Sequence, residues 1–308
     1  MNVNTEHPSV RRSRLSQLFL SPSEQRLRAG WRLLIQVILQ IVLTVFASLV
    51  IFIPFSLLSG TTGLSGLPYL ALTEIIEILT VTLSVYLARR FLDKRTFISL
   101  GLKLNKQAVL DILSGIGIAF VMMGLIFFLE MTLGWLYLDT FAWTIEPGEN
   151  VIAQVLIFFI VFIAVGWNEE LMSRGYHLQT IASGINLLWG FIISSAIFGA
   201  LHLANPHATW ISASGIFFAG LFLGFAYIRT RQLWLSIGLH IGWNFFEGVI
   251  FGFPVSGLDI YHLTHINVSG PELWTGGAFG PEAGLILIPA IVLGACLVYI
   301  YTRRYAIS

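Results

Sequence analysis

The sequence predicts an all-α polytopic membrane protein of about eight transmembrane helices, with both termini on the cytoplasmic side. Three observations carry that prediction. Hydrophobic residues fill 56% of the 308 positions and charged residues 11%, against about 25% charged in ordinary soluble domains. A mean hydropathy of +0.82 means more apolar surface than the interior can hide, so much of it must face lipid. Finally, eight stretches approach the roughly 20 apolar residues that a bilayer core of about 30 Å requires.

Residues 1–30 are polar, contain Arg11, Arg12 and Arg14, and lack a cleavage pattern after a short apolar core. They are expected to form a retained cytoplasmic segment. Residues 31–308 form the membrane domain, with spans expected at about 31–58, 68–90, 108–138, 151–173, 185–204, 210–229, 233–252 and 284–302. Orientation follows from Lys and Arg, which cytoplasmic loops retain. Six of the 17 lie in the segment up to Arg32, and six more, from Arg89 to Lys106, lie between the second and third spans. The rest are Arg174, Arg229, Arg231, Arg303 and Arg304. With eight spans all 17 fall on one side, while the opposite loops carry Asp139, Glu146, Glu149, Asp259, Glu272 and Glu282. The formal charge of +1 gives no reason to expect a nucleic-acid partner. The single cysteine, Cys296, excludes a disulfide framework and cysteine-ligated metal centres.

Two connections are long. Residues 91–107 form a basic inner loop, with Phe97 and Leu100 among its charges, expected to lie along the headgroups as a short amphipathic segment. Residues 253–283, rich in Gly, Pro and aromatics, are expected to form an irregular outer connection rather than a lid or re-entrant segment.

Ionisable residues inside spans are costly and mark candidate sites. The richest group is Asn168-Glu169-Glu170-Leu-Met-Ser-Arg174 at the inner end of the fourth span. Glu170 and Arg174 are helix neighbours suited to an ion pair. Glu169 is turned about 100° away and left free to act as a general base. Phe198 and His202 stack one turn apart on the fifth span, as do His240 and Asn244 on the seventh. Three spans thus each present a group capable of proton or carbonyl chemistry. Glu74, Glu77 and Glu130 are assigned interhelical hydrogen bonds, a role the sequence favours over a proton relay. Glu247 shares the face of His240 and Asn244, and His207, His262 and His265 are expected at the outer surface.

Glu169-Glu170-x-x-x-Arg174, Phe198-x-x-x-His202 and His240-x-x-x-Asn244, in this order over about 151–252, resemble the CPBP family of intramembrane proteases. That family includes type II CAAX prenyl endopeptidases and bacteriocin-processing or immunity proteins. The resemblance implies hydrolysis of a peptide bond at or within the membrane, on a membrane-associated peptide or protein substrate. Glu169, helped by His202, would deprotonate a water. His240 and Asn244 would donate to the oxyanion, a job worth about 2.7–4 kcal/mol per donor. Glu170, Arg174 and Phe198 would support them. No cofactor is required, although Glu169, His202 and His240 could instead bind a zinc ion. His-Glu-x-x-His is absent and Asn is a poor zinc ligand, which favours the metal-free version. The motifs of rhomboid-type serine and aspartyl intramembrane proteases are missing. The expected location is the plasma membrane of a prokaryote, and the alternative to an enzyme is a non-catalytic immunity or regulatory protein of the same fold. One geometric difficulty stands: a fifth helix beginning near 187 puts His202 toward the outer side, away from Glu169, unless that helix starts near Leu178, tilts or sits low.

Overall fold

The computed structural model describes residues 18–21, 24, 26–59 and 67–306. Arg11, Arg12 and Arg14, and most of the expected N-terminal segment, lie outside them. The chain is an all-α polytopic membrane protein, and each of the eight expected spans contains a helix. Six helices among the described residues are long and apolar enough to cross a membrane: Ala29–Phe55, Tyr69–Leu92, Lys106–Thr132, Gly148–Gly184, Leu187–Ala204 and Trp210–Thr230. We label the helices α1 (Ala29–Ser59), α2 (Leu67–Leu87), α3 (Lys106–Thr132), α4 (Gly148–Glu170), α5 (Leu178–Gly184), α6 (Leu187–Leu201), α7 (Trp210–Thr230), α8 (Trp234–Asn244) and α9 (Leu287–Thr302). The last two expected spans fold as the shorter helices α8, which a π-helical turn continues through Phe245–Ile250, and α9.

Helix α8 is the axis of the fold. Every residue from Trp234 to Gly242 is buried, and α3 is its principal neighbour. Small residues allow that contact, as expected where lipid supplies no hydrophobic drive and close packing must supply the attraction. A Cβ on Gly238 would come within 2.3 Å of the Ile112 carbonyl oxygen, and one on Gly115 within 2.5 Å of the Leu239 nitrogen. The crossing therefore brings backbone against backbone and fixes the height of His240.

Four expectations need correction. The third helix stops at Thr132, because Gly134 takes a left-handed φ of +70° and the chain then extends. Leu136–Phe141 form strand β1, antiparallel to β2 (Thr264–Val268). The 253–283 connection is accordingly ordered rather than irregular, and it returns to the helices as the outer wall of a cavity. The inner loop is not merely superficial either: Leu100 is fully buried, and buried Asp93 gathers the guanidinium groups of Arg26, Arg32 and Arg89. Arg32 also donates to the Ser183 hydroxyl at 2.7 Å, tying α1 to α5.

The fourth correction resolves the height of His202. The fourth helix does not end near 173 but runs on through the π-helical turn Leu171–His177 and α5 to Gly184. Asn186 then caps α6 by accepting from the Trp189 amide at 3.0 Å. Leu178 therefore belongs to the descending arm, and the ascending helix does begin at Leu187. From Glu169 down to Gly184, and from Leu187 up to His202, the chain makes equal numbers of steps, about 22 Å each at 1.5 Å per residue. The hairpin returns His202 to the level of Glu169.

Candidate active site

Glu169, in the last turn of α4, extends its carboxylate to two imidazoles. Its Oε2 lies 3.8 Å from Nε2 of His202 and 3.8 Å from Nε2 of His240. Each ring is held by its other nitrogen: His202 Nδ1 is 2.9 Å from the Phe198 carbonyl oxygen, and His240 Nδ1 is 2.8 Å from Glu170 Oε1. Carbonyl and carboxylate oxygens only accept, so Nδ1 is the donor in both rings. A neutral imidazole at either position turns an unprotonated Nε2 toward Glu169.

Behind this first layer, Glu170 is fully buried and also accepts from Arg174 at 2.8 Å, as the four-residue spacing predicts. The second amino group of Arg174 donates to the Gly220 carbonyl at 3.0 Å. The guanidinium lies 4.3 Å from the Phe198 ring centroid, and the same ring packs on His202 and, edge to face, on His240. Asn244, one turn beyond His240, is buried and borders the cavity, and its side chain makes no hydrogen bond among the described residues.

The cavity these groups share measures about 410 Å³. Its wall is mostly aliphatic and aromatic, and it includes both histidines, Asn244 and Glu169. Glu74 and Glu77 border it as well, in place of the interhelical bonding role expected of them, and Glu74 Oε2 has no partner among the described residues. Glu130 and Glu247 are buried and do not line the cavity, and none of their carboxyl oxygens is hydrogen-bonded among the described residues. His262 is half-buried, and its ring bridges the Gly248 carbonyl and Asp259 at 2.9 and 2.8 Å.

Sequence reasoning missed Glu282, which it placed in an outer loop. The residue is 5% exposed and reaches the cavity from the 253–283 wall. Its carboxylate accepts from Trp243 Nε1 at 3.0 Å and from the Ser256 hydroxyl. Burial pushes this carboxyl above the usual range, against the opposing pull of the serine donor, the two imidazoles and the indole. The available signal was an acid inside a Gly-Pro-rich apolar stretch immediately before a span.

The donor chemistry of Glu169, His202 and His240 suits zinc in one respect, since both Nδ1 atoms already have acceptors and both Nε2 atoms face the carboxylate. As placed, however, no group of three or more His, Cys, Asp or Glu side chains among the described residues is arranged to hold an ion.

Residues 151–246, which carry all seven of these motif residues, match the family described as "Type II CAAX prenyl endopeptidase Rce1-like". Over 98 residues the chain is 33% identical to the "Putative membrane peptidase YdiL" of Bacillus subtilis (strain 168), a match covering 32% of this chain and 38% of that protein. The chain therefore spans well under half the length of this curated relative. The matched segment runs from the first turns of α4 through α8, so the part of the chain that is similar to that family includes every helix that supplies the carboxylate, the two imidazoles and the amide.

Proposed function

We propose that the protein is a membrane-embedded endopeptidase that hydrolyses a peptide bond at or within the membrane with Glu169 as general base. The observation that carries this proposal is the convergence of one carboxylate oxygen and two imidazole nitrogens, from three helices, on a cavity large enough for a few residues of peptide. A water between Glu169 and the scissile carbonyl gives its proton to the carboxylate as its oxygen attacks the carbonyl carbon. The oxyanion takes a hydrogen bond from the Asn244 amide. His240 can donate a second one only as an imidazolium, because its Nδ1 proton is committed to Glu170. The Glu170 carboxylate at 2.8 Å favours that charge. When the carbon–nitrogen bond breaks, the departing amine takes the proton held on Glu169. His202, fixed by the Phe198 carbonyl, accepts a hydrogen bond from the water and aligns it.

The bilayer and a membrane-associated peptide or protein are the partners this chemistry needs, and the plasma membrane of a prokaryote is the proposed location. The family described as CAAX prenyl endopeptidases suggests the first probe, an internally quenched farnesylated CAAX peptide. Comparison of membrane peptides from wild-type and Glu169→Ala cells extends the search to substrates of other kinds. Purified protein should cleave, and Glu169→Ala should abolish cleavage with the folded yield unchanged. Cleavage surviving that substitution would refute the mechanism. A Glu169→Ala variant that still complements a deletion would point instead to a non-catalytic immunity or regulatory protein. Insensitivity to phenanthroline and absence of stoichiometric zinc are the expected results for the metal-free chemistry.

A further inference from the structure

We propose that Glu282 is a positioning residue of the site, a carboxylate supplied by the outer wall that fixes the helix turn carrying His240 and Asn244. Its placement is argued from geometry, and its kinetic consequence rests on the endopeptidase proposal above. The three motifs do not include it, and it comes from a segment outside the matched family region.

The tie is direct. Glu282 Oε1 accepts from the indole of Trp243, while Oε2 accepts from Ser256. Trp243 follows His240 by three residues and precedes Asn244, so an anchored indole sets the rotation of that turn. An anchor is needed there because regular α-helical bonding stops at Asn244 and the π-helical turn Phe245–Ile250 follows.

The other end of the tie is equally constrained. A Cβ on Gly215 would come within 1.9 Å of the Glu282 carbonyl oxygen, so the turn bearing the carboxylate rests on the backbone of α7. Gly280, at φ +105°, presses on the Pro254 carbonyl in the same way. The wall is further joined to the site by Asn205, three residues past His202, which donates to the Ser256 carbonyl at 3.0 Å. Two donors converge on one buried group, and its carboxylate offers one oxygen to each. A glutamine could keep the indole on its oxygen and turn its N–H to the serine hydroxyl, which also accepts, so a side chain without an acceptor is what releases both partners. Keeping a carboxylate buried here costs free energy, and the geometry of Trp243 is the return on that cost.

Glu282→Leu, which has no acceptor, tests the proposal with two readouts. In protein labelled with 5-fluorotryptophan, the Trp243 ¹⁹F resonance, assigned by its loss in Trp243→Phe, should shift or broaden in Glu282→Leu. With the quenched farnesylated CAAX peptide, kcat should fall about 10- to 100-fold with KM within about twofold, the scale expected when catalytic groups are displaced by about 1 Å. Trp243→Phe should give a similar loss, and the double variant should be no worse than either single one. An unmoved Trp243 resonance overturns the proposal whether or not any peptide is cleaved, and so do losses that multiply in the double variant. If wild-type and Glu169→Ala proteins do not differ on the peptide, the endopeptidase proposal fails and the ¹⁹F result alone decides the placement of Glu282.

Discussion

Arg174→Met should bring the protein close to unfolding. Arg174 is 2% exposed and Glu170 is completely buried. Methionine has comparable length but no charge, so the substitution leaves a buried carboxylate with only the His240 imidazole to answer it. Removing one partner of a buried ion pair costs about 3–5 kcal/mol. The same side chain also stacks on Phe198, worth about 2 kcal/mol when desolvated, and satisfies the Gly220 carbonyl, worth about 1–3 kcal/mol. These contributions share one guanidinium and do not simply add, so the expected loss is about 4–5 kcal/mol, roughly a thousandfold in the folding equilibrium at 1.36 kcal/mol per tenfold. Total stabilities run to only about 5–15 kcal/mol. Reversible unfolding in mixed micelles, followed by circular dichroism against increasing dodecyl sulfate, measures the change. Glu170→Gln combined with Arg174→Met removes both charges of the buried pair and should recover at least half of the loss. A single variant within about 1 kcal/mol of wild type, or a double variant no better than the single, would refute the account of a charge-compensated core.

Three further predictions follow from the same structure. Asn244→Ala should lower kcat about 100- to 1,000-fold with KM little changed, the cost of losing one oxyanion donor; single-turnover kinetics on the quenched peptide checks it. Gly238→Ala places a methyl group against the Ile112 carbonyl and should cost about 1–3 kcal/mol, read in the same micelle titration, with Gly117→Ala, which meets nothing within 4 Å, as the control. Asp93→Ala removes the acceptor shared by Arg26, Arg32 and Arg89 and should destabilise by at least about 3 kcal/mol, with proteolysis appearing first around the α1–α2 inner ends.

The parts of this molecule legible in the sequence are those with short periodicity. Spacings of four residues placed Glu170 against Arg174, Phe198 against His202, and His240 beside Asn244, because a helix converts such spacing into proximity without help from the rest of the chain. Apolar runs located the helices for the same reason. What was not legible depends on contacts distant in sequence. Glu282 reads as a loop acid until Trp243 and Ser256 are brought to it, and Glu74 and Glu77 read as packing residues until α2 is set beside the cavity. The height of His202 failed for a local reason. The polar run around Arg174 reads as a membrane exit, whereas its charge is consumed inside the protein and the helix continues.

The hairpin from Glu169 to His202 has a consequence for how this protein can vary. Its two arms act as a gauge: lengthening or shortening either by one residue moves Glu169 or His202 relative to the other by about 1.5 Å along the axis and about 100° around it. Apart from contacts such as Ser183 with Arg32 and the Asn186 cap, substitutions along α5 and the start of α6 keep this gauge so long as the helices form, but an insertion or deletion in one arm must be answered by a matching change in the other. The stretch from 170 to 201 therefore constrains length as well as the identity of Glu170, Arg174 and Phe198.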